Sequence, residues 1–449
     1  MPVLTQAVVQ PIEITLFENA IYNLNNRTCE VTTLLSQHGM KEMDTSANKQ
    51  RFAVTGTTGS PTRFVGDTLP SEFDNCDDSP TWAFAEVDLK WQVGPTRVRY
   101  DLLMLKQGYM GDPVQETIDG LQKDLRFEVE RTLCAGVGDA VIANLTGNVT
   151  DNGNGTFTYL VANYGGRAGE QLGQLMDAML LEGTPVQAAT SVGAAPGSLA
   201  PFYIRSVVST LGSESITTNG DITGLGGGGG PLTGWVFYRS RPSTGGVISA
   251  TDAPYGIEYL ISDFTDFAMF QSTTAVTAPR FKAAIVNRGG APMAIDETLL
   301  NRMLSLGEVS LPADPGDGEG PVLDGFFLMH TFNVNAFAMT MLQDRRFMNL
   351  RSAGAAGYAK KYLTFCDLPV VGGHLAQRNT VYYPLARNLY VRKNGPMWGK
   401  FMALSGQTRF SIPCSPDQEI RWVRCAQNAA HVRPGMVRAD NCIAAIPDA

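Results

Sequence analysis

Two periodicities organise the chain. From Ala83 to Val93 the odd positions are apolar (Ala83, Ala85, Val87, Leu89, Trp91, Val93), while Glu86, Asp88, Lys90 and Gln92 fill the even ones and Phe84 is the exception. Alternation of period two predicts a half-buried strand. Beyond Gly94-Pro95-Thr96-Arg97 the phase shifts, and Val98, Tyr100, Leu102 and Met104 become the apolar set. If Val93 faces Val98 across a four-residue turn, Trp91 meets Tyr100, Leu89 meets Leu102, and Lys90 meets Asp101 on the other face. A bend within one continuous long strand is the competing geometry.

The second period is helical. Asp112 is a suitable N-cap and Pro113 suits the first helical position. Val114, Ile118, Leu121, Leu125, Val129, Leu133, Val137 and Val141 then recur every three or four residues, with Glu128, Glu130 and Arg131 off that stripe. At 1.5 Å per residue this predicts a rod of about 50 Å. Gly120, Gly136 and Gly138 each cost about 1 kcal/mol there, which favours a kink or an early stop.

Elsewhere the patterns are shorter. Residues 1–47 are weakly periodic and read as an extended arm. TGNVTDNGNGTFTYLVANYGG (146–166) reads as a hairpin on turn residues, and 167–183 as a helix. Residues 190–250 are rich in Gly, Ser, Thr and Pro and read as loop. After β-like and aromatic runs over 255–288, a compact unit begins near 293. MAIDETLLNRMLSLGEV is a helix capped by Asp296, DGFFLMHT a buried strand, and NVNAFAMTMLQDRRF a helix. LTFCDLPVVGG is a strand with a Leu-Pro turn, NTVYYPLARNLYVRKNG adds edge strands, and RFSIPC with EIRWVRCAQNAAHVRP closes the chain as antiparallel strands.

Composition narrows the function. The 449 residues suit about three domains, or fewer large ones. Only 17% are charged, against roughly 25% in ordinary soluble chains, so much of the surface is expected to be covered by something. A net charge of −8 without a basic run argues against nucleic-acid binding. No basic segment precedes Arg27 and no 18-residue apolar run occurs, so neither a signal peptide nor a membrane span is expected. Seven scattered cysteines without a C-x-x-C pair read as reduced thiols of a protein made in a cytoplasm.

Catalytic chemistry is hard to find. His38, His330, His374 and His431 lie in no tight metal spacing, and there is no G-x-S-x-G elbow. The glycine run 226–230 is followed by Pro231-Leu232-Thr233, without the lysine and hydroxyl of a phosphate loop. Asp77-Asp78 and DPGDGE (314–319) read as solvated turns, the latter lacking EF-hand spacing. No catalytic, cofactor-binding or metal residue is assigned, and no enzyme activity or cofactor is expected.

The order of these pieces carries a resemblance. From AEVDLKWQVGPTRVRYDLL onwards, the strand–Gly–strand run before a long helix resembles the extended loop and spine helix of tailed-bacteriophage major capsid proteins, the Hong Kong 97-type fold. FFLMHTFNVNAFAMTMLQDRRF followed by LTFCDLPVVGGHLAQRN is similar to that family's axial domain, and EIRWVRCAQNAAHVRPGMVRADNCI to its last peripheral strands. The resemblance spans about residues 48–145 and 291–445.

It implies an α+β chain: an N-terminal arm (1–47), an extended β-hairpin loop with flanking strands (48–108), and a peripheral domain with a long spine helix (109–189). A Gly/Ser/Thr-rich insertion (190–290), an axial domain (291–395), and closing peripheral strands with a C-terminal tail (396–449) follow. It also implies pentamers and hexamers of an icosahedral virion shell around double-stranded DNA, assembled in a host cytoplasm. Val87, Leu89, Trp91, Val93, Val98, Tyr100 and Leu102 become candidates for inter-subunit contact. Some relatives cross-link a lysine to an asparagine, and Lys90 is a candidate by position only. The short stretch before the hairpin leaves no room for a fused scaffold, so a separate scaffolding protein is expected, with a portal and decoration proteins as further partners and no membrane. A long hairpin and rod cannot bury their faces in one small globule, which agrees with shapes that lie across neighbours. The alternatives are an encapsulin-like compartment, another virion protein such as a decoration or tail protein, and an enzyme with a site assembled from distant residues.

Overall fold

A computed structural model describes residues 30–44, 49–55, 81–98, 120, 122, 125–126, 128–134, 141–163, 185–190, 202–210, 213–221, 235–239, 254–267, 269–288, 291–311, 325–344, 363–373, 375–377, 379–402, 409–411 and 417–443. One sheet is built on the strand Gln418–Ala430. Its Ala426 pairs with Lys90 on one side and Lys393 on the other, and its Val423 with Val93 and Lys400. The strand Lys90–Val98 therefore fills one edge. Leu389–Lys393, Lys400–Phe401 and Arg409–Ser411 follow one another along the opposite edge. Lys41–Asp44 adds a parallel outer strand against Leu389–Lys393.

This register corrects the expected turn. Gly94-Pro95-Thr96-Arg97 lie inside Lys90–Val98, which runs unbroken from Lys90↔Ala426 to Val98↔Gln418. Trp91 stands opposite Cys425 and Lys90 opposite Ala426, in place of Tyr100 and Asp101. The continuous strand prevails because thirteen residues of partner backbone are on offer, and proline is tolerated where one strand edge needs no donor. The hairpin partner of Trp82–Asp88 is instead Lys49–Thr55, antiparallel from Lys49↔Asp88 to Thr55↔Trp82.

A second sheet runs in the order Ala284–Val286, Val437–Ala439, Val381–Tyr383, Phe327–His330, Leu368–Gly373, Leu363–Phe365. The helices Glu297–Ser310 and Thr331–Asp344 pack on it. Asp296 caps the first, its carboxylate accepting from the Leu299 amide at 2.8 Å, and Leu299, Leu300 and Met303 are buried. The second approaches closely because residue 372 is glycine: a Cβ there would stand 3.0 Å from the Thr331 Cα. Val381–Tyr383, expected at an edge, lies centrally and fully buried, since all three side chains are apolar or aromatic. The expected Leu-Pro turn is displaced to Cys366-Asp367, both at positive φ, so that Leu368 and Pro369 already belong to the next strand.

The third unit is a closed six-stranded barrel. Its order is Val236–Arg239, Val141–Asp151, Phe157–Asn163, Ser213–Thr218, Phe202–Thr210, Pro185–Ala189. Alternate residues fill it: Leu145, Tyr159, Val161, Val186, Ala188, Ile204, Ile216 and Phe237. The barrel starts at Val141 and joins strands from both sides of residue 190, and within the expected loop over 190–250 the described stretches 202–210, 213–218 and 236–239 are strand. Ser- and Thr-rich strands look like loop because their outward residues are hydroxyls, while only every second residue is apolar.

Helical residues are described between 120 and 134, and Val141, expected on the same stripe, opens a barrel strand. Val129 and Leu133 are buried as expected of that stripe, but so are Glu130 and Arg131. Glu130 is buried because it caps another helix, Glu30–Gln37, accepting from the Val31 amide and from the Thr32 amide (3.0 Å) and hydroxyl. Within the expected arm (1–47), residues 1–29 and 45–47 lie outside the described residues, while Val31, Leu34, Leu35 and Met40 belong to the main core.

Buried arginines tie the last strands to residues 257–267. Arg438 pairs with Asp440 (2.9 Å), Asp266 and Glu258 (3.9 Å). Arg433 donates to the Leu260 and Tyr259 carbonyls and lies 3.5 Å above the Phe270 ring. Burial pushes its guanidinium down to about 9, against the opposing pull of Tyr259 and Tyr255.

Candidate assembly surface

The two faces of the Lys49–Thr55 and Trp82–Asp88 ribbon do different work. Directly opposed residues share a face. The inner rungs Val54/Ala83 and Phe52/Ala85 turn towards the main core, and Val87 packs with Tyr390 and Ala429. Phe52 meets His431 edge-on at 5.0 Å, and His431 stacks on Tyr390 at 4.0 Å. Burial and the nearby Lys41 hold that imidazole below its ordinary pKa, so it sits as a neutral ring in an aromatic box. Arg392, fully buried, donates to the Val87 carbonyl and fastens the base of the ribbon.

The outer rungs grade from ionic to aromatic. Lys49 lies 3.6 Å from Asp88 and 3.8 Å from Glu86, and Arg51 lies 2.5 Å from Glu86. Phe84 and Trp82 come next and leave 62% and 63% of their surface to solvent. On the following strand Trp91 and Val93 are 62% and 53% exposed. That strand is fixed from beneath by Arg424, which donates to Gln92 Oε1 and to the Met397 carbonyl, both at 2.7 Å. Burial lowers the Arg424 guanidinium to about 10. Large apolar side chains are therefore held outward on strands whose backbones are anchored in the core. Such a surface can bind another apolar surface.

The seven residues expected at contacts part company here. Trp91 and Val93 face solvent and Leu89 is half-buried between the two strands. Val87 is fully buried within its own chain, because period two puts it on the inner face with Ala83 and Ala85. Val98 is placed at the end of its strand, opposite Gln418. Tyr100 and Leu102 lie outside the described residues. Lys90 is half-buried opposite Ala426. Trp82 and Phe84, also exposed, are not among the seven, although Phe84 breaks the alternation and so places an aromatic ring on the outward face.

Other chemistry-bearing residues have packing roles. His38 lies against Phe326 at 4.9 Å, and His330 Nδ1 accepts from the Phe332 amide. Cys134, Cys425 and Cys442 are buried free thiols and Cys366 an exposed one; burial pushes the Cys425 thiol up. Among the described residues no cluster of His, Cys, Asp or Glu could hold a metal ion, and no helix is long and apolar enough to cross a membrane. His374, Asp77-Asp78, residues 226–230 and residues 314–319 lie outside the described residues.

No protein-family model matches the chain, and no curated protein does. Among solved structures, a cyanophage A-1(L) capsid asymmetric unit is similar with TM-score 0.49 and 12% identity, over 95% of this chain and 96% of that one. The capsid of a native GTA particle follows with TM-score 0.48 and 8% identity, over 95% and 94%. A holo-SrpI encapsulin complex from Synechococcus elongatus PCC 7942 gives TM-score 0.45 and 10% identity, over 100% and 99%.

Proposed function

We propose that this chain is a shell-forming structural protein, the major capsid protein of a tailed phage with a Hong Kong 97-like fold. The observation that carries the reading is the outward row of Trp82, Phe84, Trp91 and Val93 on strands anchored by buried arginines. Burying a Trp or Phe side chain contributes about 1.5–3 kcal/mol, so leaving several in water on a rigid ribbon makes physical sense when a neighbouring copy covers them. A heterologous contact of this kind, ribbon against a different surface of the next copy, builds rings when the rotation between copies closes. The ribbon would overlap the adjacent subunit, the 291–395 unit would pack at the centre of pentamers and hexamers, and the helical segment that carries Glu130 would support the periphery. The shell would enclose double-stranded DNA without gripping it, which a net charge of −8 favours. A separate scaffolding protein would guide assembly in the host cytoplasm, with portal and decoration proteins completing the virion.

Negative-stain microscopy of the purified chain, alongside size-exclusion chromatography and co-expressed scaffold, tests this. Closed shells or five- and six-fold rings are expected. A monomer that forms no particles with scaffold present would overturn the proposal. Particles that carry a cargo enzyme in place of DNA would transfer the chain to the encapsulin class.

A further inference from the structure

The barrel hairpin turns at residues 151–156, where two of the four Asn-Gly pairs of the sequence follow one another. Residues 151–155 are exposed, and Gly153 and Gly155 both sit at positive φ (73° and 75°). An asparagine followed by glycine is open to attack by the glycine nitrogen on its carboxamide carbon, and hydrogen bonds decide which of the two pairs is primed. Asn152 is held: its Nδ2 donates to the Thr156 and Thr158 hydroxyls at 3.0 Å each, and the Gly153 amide donates to Asp151 Oδ1 at 2.8 Å. Asn154 is arranged otherwise. Its Oδ1 accepts from both the Thr156 amide (3.1 Å) and the Thr156 hydroxyl (2.5 Å), which folds the carboxamide back over Gly155. Those two donors also stand where an oxyanion would develop on Oδ1.

We propose that Asn154 is the site at which this chain deamidates, through attack of the Gly155 nitrogen on its side-chain carboxamide. The Gly155 nitrogen loses its proton to water and bonds to Cγ, the Cγ–Nδ2 bond breaks, and ammonia leaves with one proton taken up. The succinimide then adds water at either carbonyl to give aspartate or isoaspartate. Each event places a carboxylate beside Asp151 on a chain already at net charge −8. Asn219, whose Oδ1 accepts from the Tyr203 amide of the neighbouring strand, is held in the ladder. Asn394 extends a ladder through its own amide, which donates to the Cys425 carbonyl.

The test is a time course of the full chain in mildly alkaline buffer, with proteolytic peptides sequenced by mass spectrometry to separate position 152 from 154. Position 154 is expected to convert first, and Asn154→Gln to remove the acidic shift of that peptide. Thr156→Val takes a donor from Asn154 and an acceptor from Asn152, so the ratio of the two rates should fall by roughly two- to tenfold, the equivalent of one hydrogen bond. First conversion at Asn152, Asn219 or Asn394, or an unchanged ratio in the Thr156 variant, overturns the assignment.

Discussion

Replacing Phe84 with aspartate separates folding from assembly. In the isolated chain Phe84 leaves 62% of its surface in water and stands opposite Ala53. Exposed substitutions of this kind change stability by about 0.5 kcal/mol or less. The introduced carboxylate finds no free cation beside it among the described residues, because Lys49 and Arg51 already pair with Glu86 and Asp88, but in the isolated chain water solvates it. In a shell the account reverses. Losing the apolar burial costs about 2 kcal/mol, and an unpaired carboxylate in the contact adds at least about as much again. Some 4 kcal/mol per contact lowers each association constant about a thousandfold. Thermal unfolding of the purified subunit should therefore match the parent, while microscopy and size-exclusion chromatography show no shells. Val87→Asp supplies the contrast, because Val87 is sealed against Tyr390 and Ala429 and its variant should fail to fold. Normal shells from the Phe84 variant would refute the claim that this face is covered by a neighbour.

Three further outcomes follow from the same geometry. Trp91→Asp, on the next strand, should likewise abolish particles and leave soluble subunits; particles of normal yield would exclude that strand from the contact. Glu130→Ala should cost about 2–4 kcal/mol in denaturant unfolding, because the Val31 and Thr32 amides lose a charged acceptor in a buried place. Burial works to raise the Asp263 carboxyl, but the Arg288 hydrogen bond and the Thr265 and Asp266 amides outweigh it and hold the group below its ordinary value. Its stabilising contribution is thus complete above the unfolded carboxylate range near pH 4 and is lost as pH falls through the lowered folded value, so Asp263→Asn should flatten the acid limb of a melting-temperature profile.

Local periodicity was a reliable guide where an element's burial is decided by its own residues. The strand over 83–88, the helix opened by Asp296, the strand before His330 and the turn-rich hairpin at 152–155 are all legible because alternation, capping and glycine chemistry act within a few residues. The resemblance to a capsid fold rested on the order of such elements, which a sequence also carries. What it could not carry was partnership. Whether Val93 turns back on Val98 or runs on beside it depended on the backbone that Gln418–Ala430 offers from over three hundred residues away.

The same limit explains the contact residues. Alternation identified Val87 and Trp91 as members of one apolar series, yet the chain breaks between them, at Leu89, so that one faces the core and the other solvent. Glu130 looked like a solvent-facing charge because its helix alone gives no reason to bury it; the reason is the open amino end of a helix nearly a hundred residues earlier. The barrel escaped notice because its outward hydroxyls dilute the apolar signal of each short strand, and closure becomes visible only when all six pair. The sequence by itself determined the elements whose signals are local, such as the strand over 83–88 and the helix opened by Asp296, and that the chain is poor in charge. The tertiary structure decided which apolar faces are consumed inside the chain and which are left outward, because burial is a property of what lies opposite and not of the residue itself.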